Sequence, residues 1–169
     1  MRVEAPIKVD RKTKRLAKRL TGGEIAVINH KDIDEVAANS LVEGKIKLVI
    51  NASQSISGRY PNKGPGILVD KNILIVDNIG EGLFNDLEEG QVIEVVDGKI
   101  YRDGKLLGQG EILDKNAVDN KIKLAYENLS VELDRFIDNT IDYAKKEKGF
   151  ILGEVEIPKV NTDYKNDMY

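Results

Sequence analysis

Cysteine and tryptophan are absent from this 169-residue chain, and histidine occurs once, as His30. Without cysteine there can be no disulfide, thiolate nucleophile or thiolate zinc site, a composition that suits a reducing compartment. A single histidine excludes a polyhistidine metal cluster and argues against a conventional Ser-His-Asp triad. No apolar run approaches the ~20 residues that cross a bilayer, and Met1 is followed by charge rather than an apolar signal core, so the expected location is the cytoplasm. Aromatic residues are scarce at 5%, but 41% hydrophobic and 33% charged residues suffice for a folded domain. The length fits one domain with an appendage. The net charge of -3 is unevenly spread. Residues 1–20 hold eight Lys/Arg and two Asp/Glu, a balance of +6 that leaves -9 for the rest. Nucleic-acid binding is therefore not expected of the whole chain, only conceivable at its start.

Four segments follow from pattern. Residues 1–22 read as a basic N-terminal helix or arm, with Asp10 as N-cap and Leu16 and Leu20 docking an otherwise cationic helix that ends at Gly22-Gly23. Residues 23–113 read as an α/β domain. Apolar runs at 25–28, 46–50 and 73–76 predict buried strands. Between the first two, "DIDEVAANSLVEG" predicts a helix with Asp32 and Glu35 as a capping box and Ile33, Val36, Ala37 and Leu41 on its inner face. Strands joined by crossovers of this length predict a parallel sheet core. After Gly90 the period falls to two, and Asp97-Gly98 and Asp103-Gly104 predict type I′ hairpins, hence a small antiparallel meander.

Residues 114–148 read as one long helix, with Val118, Ile122, Ala125, Leu129, Leu133, Phe136, Ile137, Ile141 and Ala144 recurring at three and four. At 1.5 Å per residue it is ~50 Å long, more than a domain of this size needs, so part of its stripe is expected to meet a partner, a homodimer being the expectation. Residues 149–169 read as a turn, a short strand and a polar tail.

The segment richest in chemistry is "NASQSISGRYPNKGPG", residues 51–66, after the second buried strand. It contains three serines, three glycines, two prolines, Arg59 and Tyr60. Gly58 and Gly64 permit positive φ, Ser53, Ser55 and Ser57 supply hydroxyls, and Asn51 and Asn62 supply amides. Arg59 offers a planar fork for phosphate or carboxylate, and Pro65 can open a helical turn. One reading is a cradle for a phosphate-bearing ligand. The others are a self-satisfied Ω-type loop, with Arg59 paired to Asp77 and Tyr60 over the sheet edge, and a protein-contact surface. It is not a Walker A loop, because Lys63 precedes Gly64 and the G-x-x-x-x-G-K-[ST] spacing is absent. His30, at the carboxyl end of the first buried strand, and Asp77, at the end of the third, are expected at the same edge. No metal site is expected.

Three stretches taken in order, "RKTKRL" with "GEIAVINHKDIDEVAA", "VINASQSISGRYPNKGP" and "ILIVDNIGEGLF" leading to "EGQVIEVVDGKIYRDGKLLGQG", resemble the N-terminal region of the SteA-like proteins. That bacterial family is linked to the cytokinetic ring and daughter-cell separation. The similarity covers roughly residues 8–160. It implies a non-catalytic regulatory or interaction domain with division-protein partners, preceding a thiamin pyrophosphokinase-like domain and often a membrane anchor that lie outside these residues. ATP and Mg2+ belong by the same resemblance to that second domain, and no cofactor is expected in this chain. The competing implication is a part in nucleotide-dependent phosphoryl or pyrophosphoryl transfer. The order of elements is also similar to the swivelling β/β/α domain of phosphoenolpyruvate-utilising phosphotransfer enzymes. Their phospho-accepting histidine sits in a loop that has none here, so the analogy implies the scaffold and not the chemistry.

Overall fold

The structure, a computed structural model, describes residues 1–155. The chain divides into two compact units, Met1–Leu129 and the residues from Ser130 onward.

The first unit is an α/β domain built on one mixed eight-stranded sheet. Its elements are β1 (Arg2–Asp10), α1 (Thr13–Ala17), β2 (Ile25–Ile28), α2 (Glu35–Glu43), β3 (Leu48–Asn51), α3 (Gly64–Asp70) and β4 (Leu74–Asp77), then α4 (Glu81–Asp86), β5 (Val92–Val96), β6 (Lys99–Arg102), β7 (Lys105–Gln109) and β8 (Glu111–Leu113). The strand order is β7-β6-β5-β1-β2-β3-β4-β8. Strands β1 to β4 are parallel and form the expected core, while β5 to β7 are the expected antiparallel meander. Both hairpins turn on paired positive φ values, at Asp97 and Gly98 and at Asp103 and Gly104, as a type I′ turn requires.

Strand β1 corrects the expectation of a basic arm. Residues 2–6 pair antiparallel with β5, and residues 7–10 pair parallel with β2, so β1 joins the two halves of the sheet. Pro6, which has no N–H to donate, stands where pairing passes from one neighbour to the other. Helix α1 is consequently short. Asp10 ends the strand instead of capping the helix, though its carboxylate still accepts from the Lys12 N–H at 2.9 Å. Leu16 is fully buried and Leu20 packs against the same cluster, as the two-leucine docking predicted.

Because β1 to β4 lie in sequence order, right-handed crossovers put their helices on one face of the sheet. There Leu16, Ala38, Leu41 and Leu68 bury against Ala26, Ile28, Val49 and Ile75. On the opposite face Ile25, Val27, Leu48 and Ile50 meet Phe84, Leu87, Ile93, Val95 and Ile100. With both faces covered, the central strands are continuous apolar runs rather than alternating ones. Each large side chain so buried contributes about 1.5–3 kcal/mol.

Helix α2 begins two residues later than expected. Asp34 is its N-cap, accepting from the Ala37 N–H at 2.7 Å, and Asp32 does not cap it. This shift leaves Ala37, Ala38 and Leu41 facing inward, and Val36, expected in the core, is 76% exposed.

The end strands β7 and β8 are separated in sequence by Gly110 alone. A one-residue link between the two ends of the strand order requires the sheet to curl until they meet. Gly110 donates to the Gly98 carbonyl at 2.9 Å, joining the link to the β5–β6 turn.

Helix α5 spans Lys115–Val155 and starts at Asp114, whose side chain accepts from the Ala117 N–H at 2.8 Å. Val118 and Ala125 are buried in the first unit. The second unit is described as the remainder of α5, and there Leu133, Phe136, Ile137 and Ile141 are exposed. Residues 149–155, expected as a turn and strand, continue the helix, and the rest of the expected strand and tail lies outside the described residues. No helix among the described residues is long and apolar enough to cross a membrane.

Candidate functional site

The carboxyl ends of β2, β3 and β4 gather most of the residues that the sequence singles out. Asn51, the last residue of β3, is fully buried, and every polar atom of its side chain is used. Its Oδ1 accepts from the backbone N–H of His30 at 3.0 Å and of Ser53 at 3.1 Å. Its Nδ2 donates to the His30 carbonyl and to Ser55 Oγ, both at 2.8 Å. A side-chain amide thus continues the β2–β3 ladder one step beyond the strands, where the backbones part.

Ser55 passes the connection to β4. Its N–H and its hydroxyl both donate to Asp77 Oδ1, at 3.0 and 2.7 Å. Asp77 is 3% exposed. Burial pushes its carboxyl up from the ordinary value, and the two Ser55 donations only partly oppose this. Glu111 on β8 adds to the upward shift and Lys121 on α5 reduces it.

A second carboxylate holds the middle of the loop. Asp32 has φ 55°, a left-handed conformation that Asp tolerates better than most residues. It accepts from the Ser57 N–H at 2.7 Å and from Ser57 Oγ at 2.8 Å. Asp32 is therefore a loop anchor rather than the helix cap expected from its spacing. Asn62 closes the loop from the other side, donating to the carbonyls of Ile33 at 2.9 Å and Ser55 at 2.8 Å. Its Oδ1 is buried with no hydrogen-bond partner among the described residues. Gly64 packs so tightly on the β2–α2 connection that a Cβ there would stand 2.3 Å from the Ile33 carbonyl oxygen.

The loop also reaches α5. Gly58, at φ 88°, turns its carbonyl outward to accept from Asn128 Nδ2 at 2.9 Å. Pro65 lies in the first turn of α3, as its position in the sequence predicted.

Arg59 and Tyr60 stand apart from this network. Both are exposed, and Arg59 forms no ion pair with Asp77, whose carboxylate is occupied by Ser55. Tyr60, one reading of which placed it over the sheet edge, is 47% exposed. The His30 backbone joins Asn51, but its ring turns toward α1, where Nδ1 lies 2.9 Å from Thr13 Oγ1. The ring thus serves a different surface from the one Ser55 and Asp77 occupy.

A further cluster at the same edge had no sequence signal beyond single polar residues. Ser53 Oγ donates to Asn29, Asn29 donates to Glu81 at 2.7 Å, and Glu81 pairs with Arg11, whose guanidinium lies 5.1 Å from the centre of the Phe84 ring. Hydrogen bonding from Arg11, helped by its charge and by Asn29, outweighs burial and holds the Glu81 carboxyl below its ordinary value. No group of three or more metal-ligating side chains occurs among the described residues.

Chemically, the arrangement braces three strand ends and a long loop to α5. Asn51, Ser55 and Asp77 are turned toward one another, Ser53 toward Asn29 and Ser57 toward Asp32. No model of a known family matches the chain, and no curated protein matches it in sequence.

Proposed function

We propose that this chain is a non-catalytic regulatory or interaction domain that works by presenting α5 to a partner, in a cytoplasmic protein of the SteA-like, cell-separation kind. The observation that carries the reading is the coupling of the 51–66 loop to α5 through Gly58 and Asn128, in a helix that goes on to expose Leu133, Phe136, Ile137 and Ile141. The loop's inward-facing polar groups act as a brace, leaving Arg59 and Tyr60 available at its tip to a ligand or partner. The division role and its partners come from the resemblance of the three sequence stretches. The helix surface comes from burial.

The occupant proposed for the exposed stripe is a second copy of this chain. Leu133, Phe136, Ile137 and Ile141 follow at three and four residues, and apolar side chains so spaced form a stripe wide enough to pair helix on helix. Sedimentation equilibrium tests it directly. The wild-type chain is expected to be dimeric, with a melting temperature that rises with concentration, and Leu133→Glu combined with Ile137→Glu is expected to be folded and monomeric with a melting temperature independent of concentration, because both positions are exposed in the single chain. A wild-type chain that stays monomeric at high concentration rejects the dimer. If recruitment of the full-length protein to the division site survives the double variant, the helix is not what recruits it.

A further inference from the structure

A cleft of about 560 Å3 opens on the α1–α2 side of the sheet's carboxyl edge, outside the loop network. Its walls come from the β1–α1 connection, the end of β2 and the first turns of α2. Lys12, Lys14 and Lys31 line it, and none of the three pairs with a carboxylate among the described residues. Arg11 also lines it but is already neutralised by Glu81. Asp34 is the acidic side chain in the lining, with one oxygen held by the Ala37 N–H as the α2 cap. His30 stands between the two helices, Nδ1 against the buried Thr13 hydroxyl and Nε2 3.8 Å from Asp34. The remaining wall includes Val36, apolar and 76% exposed, beside Ala37.

We infer that this cleft binds a small phosphate-bearing ligand, with Lys12, Lys14 and Lys31 on the phosphate end and the Val36–Ala37 surface on its organic part. Unpaired lysines converging on a concavity raise the local concentration of anions, and they bind phosphate as point charges. The volume lies in the range of small-molecule sites. An exposed valine at the mouth has no role in the core, and a ligand with an apolar ring would cover it. The inference is independent of what α5 engages, and it moves the expected phosphate chemistry from the Arg59 loop to the opposite side of His30.

The test is a titration of the isotopically labelled full chain with adenosine diphosphate and, separately, with inorganic pyrophosphate, followed by amide NMR. Expected are saturable shifts at residues 12–14, 30–31 and 36–40, with the diphosphate nucleoside binding more tightly than pyrophosphate. Lys12→Ala combined with Lys31→Ala, both at exposed positions, is expected to keep the wild-type spectrum without ligand and to weaken binding about tenfold or more. Three results overturn the inference: no saturable shift with either compound, shifts confined to residues 55–65, or affinity unchanged in the double variant. Binding of a single-stranded oligonucleotide at these residues without binding of adenosine diphosphate overturns it as well, in favour of a nucleic-acid surface.

Discussion

At the residue scale, the most informative side chain is Asp77. Its carboxyl is raised by burial, so in the folded chain it holds a proton at pH values where the unfolded chain has lost it. Stability linked to this group is present below the unfolded value of about 3.9 and is lost as pH rises through the higher folded value. Asp77→Asn keeps an oxygen for Ser55 but cannot titrate. The melting temperature of the variant relative to wild type is therefore expected to rise with pH from about 4 upward and then level off. A constant difference across that range, or one that falls with pH, would mean that Asp77 is not raised in the folded state. Asn51 and Ser55 show why such a group can stay buried: the Asn51 amide holds the Ser55 hydroxyl, and Ser55 in turn places two donors on Asp77 Oδ1.

At the scale of elements, two glycines of similar appearance in the sequence have opposite roles. Gly110 is the single residue between β7 and β8, and a Cβ there would lie 2.6 Å from the Asp77 carbonyl oxygen and 2.8 Å from Ile79 Cγ2. Gly110→Ala is expected to destabilise by about 1–3 kcal/mol, the usual cost of overpacking against backbone that cannot move. Gly66 lies in α3 with nothing within 4 Å of the added atom. Gly66→Ala is expected to stabilise by up to about 1 kcal/mol through helix propensity. Chemical denaturation of the two variants separates these outcomes, and equal effects would contradict the curled sheet that makes Gly110 special.

Across the first unit as a whole, charge is arranged to offset the basic start of the chain. Arg19 reaches Asp10 at 3.0 Å and Glu89 at 2.8 Å, and Arg15 also pairs with Asp10 at 3.0 Å. Much of the +6 carried by residues 1–20 is thus consumed internally, tying α1 to β1 and to the turn before β5. Burial raises the Asp10 carboxyl, but donations from the Lys12 N–H, Arg19 and Arg15 outweigh it and hold the group below its ordinary value. Hydrogen bonding from Arg19 does the same for Glu89. For carboxyls depressed in the fold, stability is present above the unfolded value and is lost as pH falls through the folded one. Arg19→Ala is accordingly expected to lower the melting temperature at neutral pH, with the gap closing in acid as both carboxylates protonate. A gap that persists at low pH would assign the effect to packing of the arginine stem instead.

What the sequence determined by itself is local in origin. The buried strands β2, β3 and β4 are apolar runs, the two hairpins are Asp-Gly pairs that tolerate positive φ, and α5 is a sustained 3.6-residue period, so each is written in adjacent residues. What only the tertiary structure decided depends on residues far apart. Residues 1–22 read as a basic helix or arm from their excess of Lys and Arg; β1 is a strand inside the sheet because β5 and β2 supply partners on its two sides. By spacing Asp32, three residues before Glu35, is the better cap; Asp34 takes that place because Asp32 is engaged by Ser57, twenty-five residues away. The loop at 51–66 was recognisable as a special segment from its composition. Which partners its serines and its Gly58 carbonyl take depends on the positions of Asp77, Asp32 and Asn128, because a hydrogen bond is decided by the partner that three-dimensional proximity supplies.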